Sequence, residues 1–349
     1  MTRRDPSRLR SKALLAAVSV FVTTLCIEVS IRAGDVLRGK GWNYRTSWYW
    51  LFEQDPFLGY RGRPNVEVNF DGIGSYRHNN DGFRDERELD SIAKVPGHRL
   101  VICIGESSTY GIGAPDVRQT YPARLEAHLR RISGDEHWFV YNAGYPAYNS
   151  YQIVQMMNLL LLARRPEAIV MMSLRNDVEF VARFINDEFD LVDIPLRMAP
   201  VSNSFWNELG MRSSLVGLLA TRLRTAQSDS VSNRTPKEVT SRGKAFYADN
   251  LAQAALLATN SHVRLLVVDQ PIYNDDYPEV KREQTRFMRA VMTNSCREHA
   301  VTLLAADQPL RATGFVSPND VHLGPIGYDK LAGILAAQIV HELDGVRTK

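Results

Sequence analysis

Strand-like runs alternate with helix-like spacing over most of the chain. The runs are Leu100–Ile104, Trp138–Asn142, Ala168–Ser173, Val263–Asp269 and Val301–Ala305. The first is continuously apolar and β-branched, the pattern of a strand buried on both faces of a parallel sheet. Between or after the runs, apolar residues recur at helical spacing over Pro122–Ile132, Ser150–Arg164, Ala245–Asn260, Glu279–His299 and Ile326–Leu343. Pro166, Pro271 and Pro278 mark element edges. This rhythm predicts an α/β fold, a three-layer α/β/α sandwich around a mainly parallel five-stranded sheet. Phe184 to Gly243 breaks the rhythm and is too long for a simple connection. It reads as a surface insertion or as a lid over a site, with Leu215, Leu218, Leu219 and Leu223 at helical spacing.

The amino terminus has a different pattern. Arg3, Arg4, Arg8, Arg10 and Lys12 precede an apolar run, residues 13–31, interrupted mainly by Thr23, Thr24 and Glu28. As a helix this run spans about 28 Å at about 1.5 Å per residue, enough to cross a bilayer. The basic tail, residues 1–12, is expected to stay cytoplasmic, leaving everything after Arg32 extracytoplasmic, on the periplasmic side. No small-x-small cleavage site follows the run, so an uncleaved single-pass anchor is favoured over a signal peptide. Residues 34–97 are rich in aromatics and turn residues, and Val66, Val68 and Phe70 alternate with Glu67 and Asn69 as in a half-exposed strand. They predict a small β-rich appendage. Its segment His78–Asp90 reads as a turn followed by a charged, solvated stretch.

Composition narrows the function classes. Among 349 residues, 42 basic and 39 acidic side chains give a net charge of +3, so nothing points to a nucleic-acid binder. Cys26, Cys103 and Cys296 lie far apart, and neither a zinc site nor a disulfide framework follows from them.

Four separated pieces carry candidate chemistry: Gly105-Glu106-Ser107-Ser108, Asn142-Ala143-Gly144, Asn176-Asp177 and Asn319-Asp320-Val321-His322. The first three follow predicted strands and the fourth precedes the last helix. A parallel sheet gathers such loops at one rim. Acyl transfer through serine needs a nucleophile, a base, a group that orients the base, and donors aimed at the developing oxyanion. Ser107 can supply the nucleophile and one N–H, Gly144 a second N–H, Asn176 an amide donor, and His322 the base. Each piece alone is ordinary turn or cap chemistry. Their joint order is the signal.

That order resembles the SGNH, or GDSL-type, hydrolases, over about Arg99 to Leu343 within a domain of residues 98–349. The segments Asp55–Asn65 and His78–Asp85 also look like the lead-in of bacterial, membrane-anchored members. The resemblance implies a flavodoxin-like sandwich, no cofactor, and esterase, lipase, thioesterase or deacetylase chemistry. It matches Ser107 to the nucleophile, His322 to the base, and Gly144 and Asn176 to the remaining oxyanion donors. Glu106 stands where the family usually has Asp, and Leu174 where it has Gly. The family's acid position, three residues before the histidine, holds Asn319; Asp320 is two before it. Either Asp320 or Asn319 orients His322, or the acid is absent. The expectation is a serine esterase cleaving an O-acyl group, most simply acetyl, from an envelope carbohydrate or lipid. The alternatives are an O-acetyltransferase using the same Ser and His, and an inactive envelope scaffold.

Overall fold

An apolar helix, α1 (Pro6–Leu37), opens the chain. The computed structural model describes residues 6–39, 48–70, 74–183, 209, 212–219, 241–272, 279–317 and 322–345. Within α1, Ser11–Leu37 has 27 residues of mean hydropathy 2.2, long and apolar enough to cross a membrane. Leu14, Leu15 and Phe21 stay 67–68% exposed, so α1 is not a core helix of this chain. The charged residue within its apolar run is partnered: the Glu28 carboxylate accepts Ser213 Oγ and the N–H groups of Ser214 and Leu215 at 2.8–2.9 Å. Arg32 donates to Glu28 at 2.6 Å and to the Arg212 carbonyl at 2.7 Å.

Two antiparallel hairpins follow, β1 (Phe52–Asp55) with β2 (Gly59–Gly62) and β3 (Glu67–Phe70) with β4 (Gly74–Arg77). The alternation at Val66–Phe70 has its physical counterpart: Val68 and Phe70 are buried, while Glu67 and Asn69 face outward. A single-turn helix, α2 (Leu89–Ile92), leads to the main sheet. The hairpins have no core of their own. Trp50, Phe52, Tyr60, Val68 and Tyr76 belong to one cluster with Ile102, Ile104 and Tyr141 of the sheet.

That sheet holds β5 (Arg99–Gly105), β6 (Trp138–Gly144), β7 (Ala168–Met172), β8 (Arg264–Val268) and β9 (Thr302–Leu304), all parallel, in the order β6-β5-β7-β8-β9. Counted from β5 this is the order 2-1-3-4-5 of flavodoxin-like sheets, with its switch point between the first and third strands. The uninterrupted apolar run of β5 is explained by its surroundings. Ile102 and Ile104 face one cluster, Val101 and Cys103 the other, and all are inaccessible.

The helices complete the layers. A single turn, α3 (Ser107–Tyr110), leaves β5; α4 (Tyr121–Ser133) follows with Pro122 in its first turn; α5 (Ser150–Met156) starts on an Asn149–Gln152 capping box. Beyond Met156 the helix expected to reach Arg164 loosens into a π-turn, Met157–Leu161, and a tighter turn, Leu162–Arg164. Then come α6 (Arg175–Arg183), α7 (Ser241–Asn260), α8 (Glu279–Glu298), α9 (Asp307–Ala312) and α10 (Gly324–Asp344). Leu125 and Leu129 of α4, Leu310 of α9 and Leu331 and Leu335 of α10 cover one face of the sheet. Ile153 of α5, Tyr247 and Leu251 of α7 and Met288 and Met292 of α8 cover the other. Most of the insertion from Phe184 to Gly243, and with it the lid reading, lies outside the described residues.

Candidate active site

Ser107 opens α3 directly beyond the carboxyl end of β5, at the switch point of the sheet. Of the neighbouring hydroxyls, Ser108 is 2% exposed and Thr109 fully buried. Ser107 alone of the three is partly open to solvent.

His322, 215 residues downstream, lies two residues before α10. Its Nε2 is 2.9 Å from Ser107 Oγ. With Nε2 unprotonated, the ring is placed to accept the serine proton. Asn319 and Asp320, the candidate orienters of the ring, lie outside the described residues.

Asn176 sits in the first turn of α6, and Nδ2 donates to the Tyr148 carbonyl at 2.9 Å. Its backbone is tied to the Ser107 segment through Glu106. That carboxylate accepts the N–H groups of Leu174, Arg175 and Asn176, each at 3.1 Å. Glu106 is fully buried, and burial, reinforced by the neighbouring Asp177, pushes its carboxyl up to about 8. Leu174, where the resemblance expects glycine, still gives its N–H to Glu106, so the turn closes despite the side chain. Asp177 is also buried and is raised to about 7 by desolvation. It accepts Ser150 N–H at 3.0 Å and Ser150 Oγ–H at 2.5 Å.

Gly144, the expected second oxyanion donor, sits in a crowded part of the sheet. It is the last residue of β6, and its N–H already donates to Asn142 Oδ1 at 3.1 Å. A Cβ here would lie 2.4 Å from Tyr110 N and 2.7 Å from Thr109 C, so its lack of a side chain lets α3 pack onto β6. The turn that approaches Asn176 comes later, at Ala147–Tyr148. Ala147 is exposed with φ 64°, a left-handed conformation that non-glycine residues rarely adopt. Sequence reasoning missed it because alanine gives no hint of a positive φ.

His78–Asp90 corrects one expectation. His78 and Arg84 are fully buried and Asn79 is 6% exposed, so this part of the stretch is not a solvated one. Its charges and amides serve internal hydrogen bonds: Asn79 holds the Arg87 carbonyl, and Arg84 reaches the loop after α3.

No family model matches the chain, and no curated protein matches it. Solved structures similar to it include an acetyl xylan esterase, AlAXEase, at 12% identity over 69% of this chain and 99% of that one, with a TM-score of 0.46. The lipase/acylhydrolase from Enterococcus faecalis is 14% identical over 70% of this chain and 96% of that one, TM-score 0.45. LAE5, an alpha/beta hydrolase enzyme from the metagenome of Lake Arreo, Spain, is 13% identical over 70% and 96%, TM-score 0.45.

Proposed function

We propose that this chain is a membrane-anchored serine esterase that removes an O-acyl group, most simply acetyl, from an extracytoplasmic carbohydrate or lipid. The observation that carries the reading is the 2.9 Å approach of His322 Nε2 to Ser107 Oγ at the switch point of the sheet. A serine hydroxyl becomes nucleophilic when a base takes its proton as it attacks. Ser107 Oγ would bond to the acyl carbon while its proton passes to His322 Nε2. The tetrahedral oxyanion would collapse to an acyl-serine, and the departing alcohol oxygen would take the proton back from His322. Water, deprotonated by the same nitrogen, would then cleave the acyl-enzyme and regenerate Ser107.

The oxyanion needs donors that are in place beforehand. Ser107 N–H and the second Nδ2 hydrogen of Asn176 are the candidates that remain from the sequence. Ala147 N–H replaces Gly144 in this reading: Ala147 adjoins the carbonyl that Asn176 holds, while the Gly144 N–H is engaged by Asn142. Asp320 and Asn319 stay the candidate orienters of His322.

The location follows from α1. Its basic flank favours a cytoplasmic amino terminus. The bonds from Glu28 to Ser213, Ser214 and Leu215 support its retention in the mature protein as an anchor rather than its removal as a signal sequence. Turnover of nitrophenyl acetate by the full-length protein in detergent tests the reading. Ser107→Ala is expected to abolish it, and unchanged turnover in that variant contradicts the mechanism.

A further inference from the structure

The lead-in reaches the nucleophile loop through one buried cation. Gly82, with φ 85°, turns the chain against the backbone of Gly62, and Arg84 follows, fully buried. Its guanidinium is held by carbonyls. Nη1 donates to Gly111 O at 2.6 Å and Tyr110 O at 3.3 Å, and Nη2 to Ala114 O at 2.6 Å. Burial lowers its pKa from the ordinary arginine value. Taking a guanidinium out of water is costly unless its hydrogens are matched, and Nε has no acceptor among the described residues.

Every one of those carbonyls lies in residues 110–114, the end of α3 and the loop after it, the helix that Ser107 opens. Two more lead-in side chains converge on it. Tyr76 lies under the Arg84 guanidinium at 3.9 Å, and its Oη accepts Gly113 N–H at 3.1 Å. His78 Nε2 is 2.8 Å from Tyr110 Oη. On its other side the same loop meets the base. Tyr328 of α10 donates to Ile112 O at 2.7 Å, and a Cβ built on Gly113 would lie 3.8 Å from His322 Cβ. Loop 110–114 is therefore the common wall between the nucleophile turn and the His322 segment.

We infer that Arg84 is a positioning residue for acylation: a clamp from the lead-in that fixes loop 110–114 and, through it, the separation of Ser107 Oγ from His322 Nε2. This rests on the esterase reading above. The planar fork of arginine is suited to spanning several carbonyls, which a lysine ammonium on a flexible stem cannot reproduce. A small displacement between reacting groups is enough to cost about 10²-fold in rate.

The test compares full-length wild type with Arg84→Lys and Tyr76→Phe. The readouts are kcat and KM on nitrophenyl acetate, the rate of fluorophosphonate labelling of Ser107, and amide hydrogen exchange. Arg84→Lys is expected to lower kcat and the labelling rate together, by about 10- to 100-fold, with KM changed by less than about twofold. Exchange over residues 107–114 should quicken while exchange in α8 stays at the wild-type rate. Tyr76→Phe, which removes the hydroxyl that accepts Gly113 N–H and keeps the ring under Arg84, should move the same readouts the same way by less. Wild-type kcat and wild-type exchange at 107–114 in a folded Arg84→Lys protein overturn the inference. So does a fall in kcat no larger than the loss of folded protein. Failure of the wild type itself to label at Ser107 instead removes the esterase reading, and exchange at 107–114 then decides the clamp by itself.

Discussion

Glu106 Oε2 accepts the backbone N–H of Asn176 at 3.1 Å, so the residue before Ser107 anchors the turn that carries the candidate oxyanion amide. The carboxyl is raised from an ordinary 4.5 to about 8, first by burial and then by Asp177. Between those values the folded protein holds a proton that the unfolded chain has released. Stability from this group is therefore present at low pH and is lost as pH rises from about 4.5 through about 8. Glu106→Gln has no such proton to lose. Thermal unfolding across this window should show a smaller fall in Tm for the variant than for wild type. Parallel curves would contradict the assignment.

Gly144 and Ala147 should respond oppositely to small changes. Gly144→Ala drives a methyl into the backbone of Thr109 and Tyr110 and is expected to cost about 1–3 kcal/mol in urea unfolding. Ala147→Gly relieves a left-handed backbone, so stability should hold or rise by up to about 1 kcal/mol with turnover retained. A harmless Gly144→Ala would show that α3 does not depend on close approach to β6.

Asn176→Ala removes a candidate oxyanion donor. The expected loss in kcat is about 10²- to 10³-fold. Asn176→Asp should not restore it, because a carboxylate offers no hydrogen. Steady-state turnover checks both, and an active Asn176→Asp would exclude the amide as a donor.

Glu28→Ala strips three hydrogen bonds from residues 213–215. Amide exchange at 213–215 should quicken in detergent micelles, while the protein still sediments with membranes through α1. Unchanged exchange would mean that α1 and this segment do not stay docked.

The strands were legible because burial on both faces leaves an uninterrupted apolar run, as in Val101–Ile104 between two clusters. Ser107 and His322 were legible from chain order, since the loops of a parallel sheet meet at one rim. The positive φ of Ala147 was not legible: β6 extends two residues past Asn142, which puts Gly144 inside the strand and leaves the left-handed turn to an alanine. Arg84 was hidden because a buried arginine looks like a surface one until the carbonyls that hold it, about thirty positions away, are brought beside it. The π-turn at Met157–Leu161 left no mark, since its apolar residues suit an α-helix equally well.

The most direct measurement is fluorophosphonate labelling of the full-length protein, read by peptide mass spectrometry. The account predicts one adduct on Ser107, none there in Ser107→Ala, and labelling slowed at least about 10³-fold in His322→Ala. An unlabelled wild type, or labelling of Ser107 that proceeds equally fast without the His322 imidazole, would contradict it.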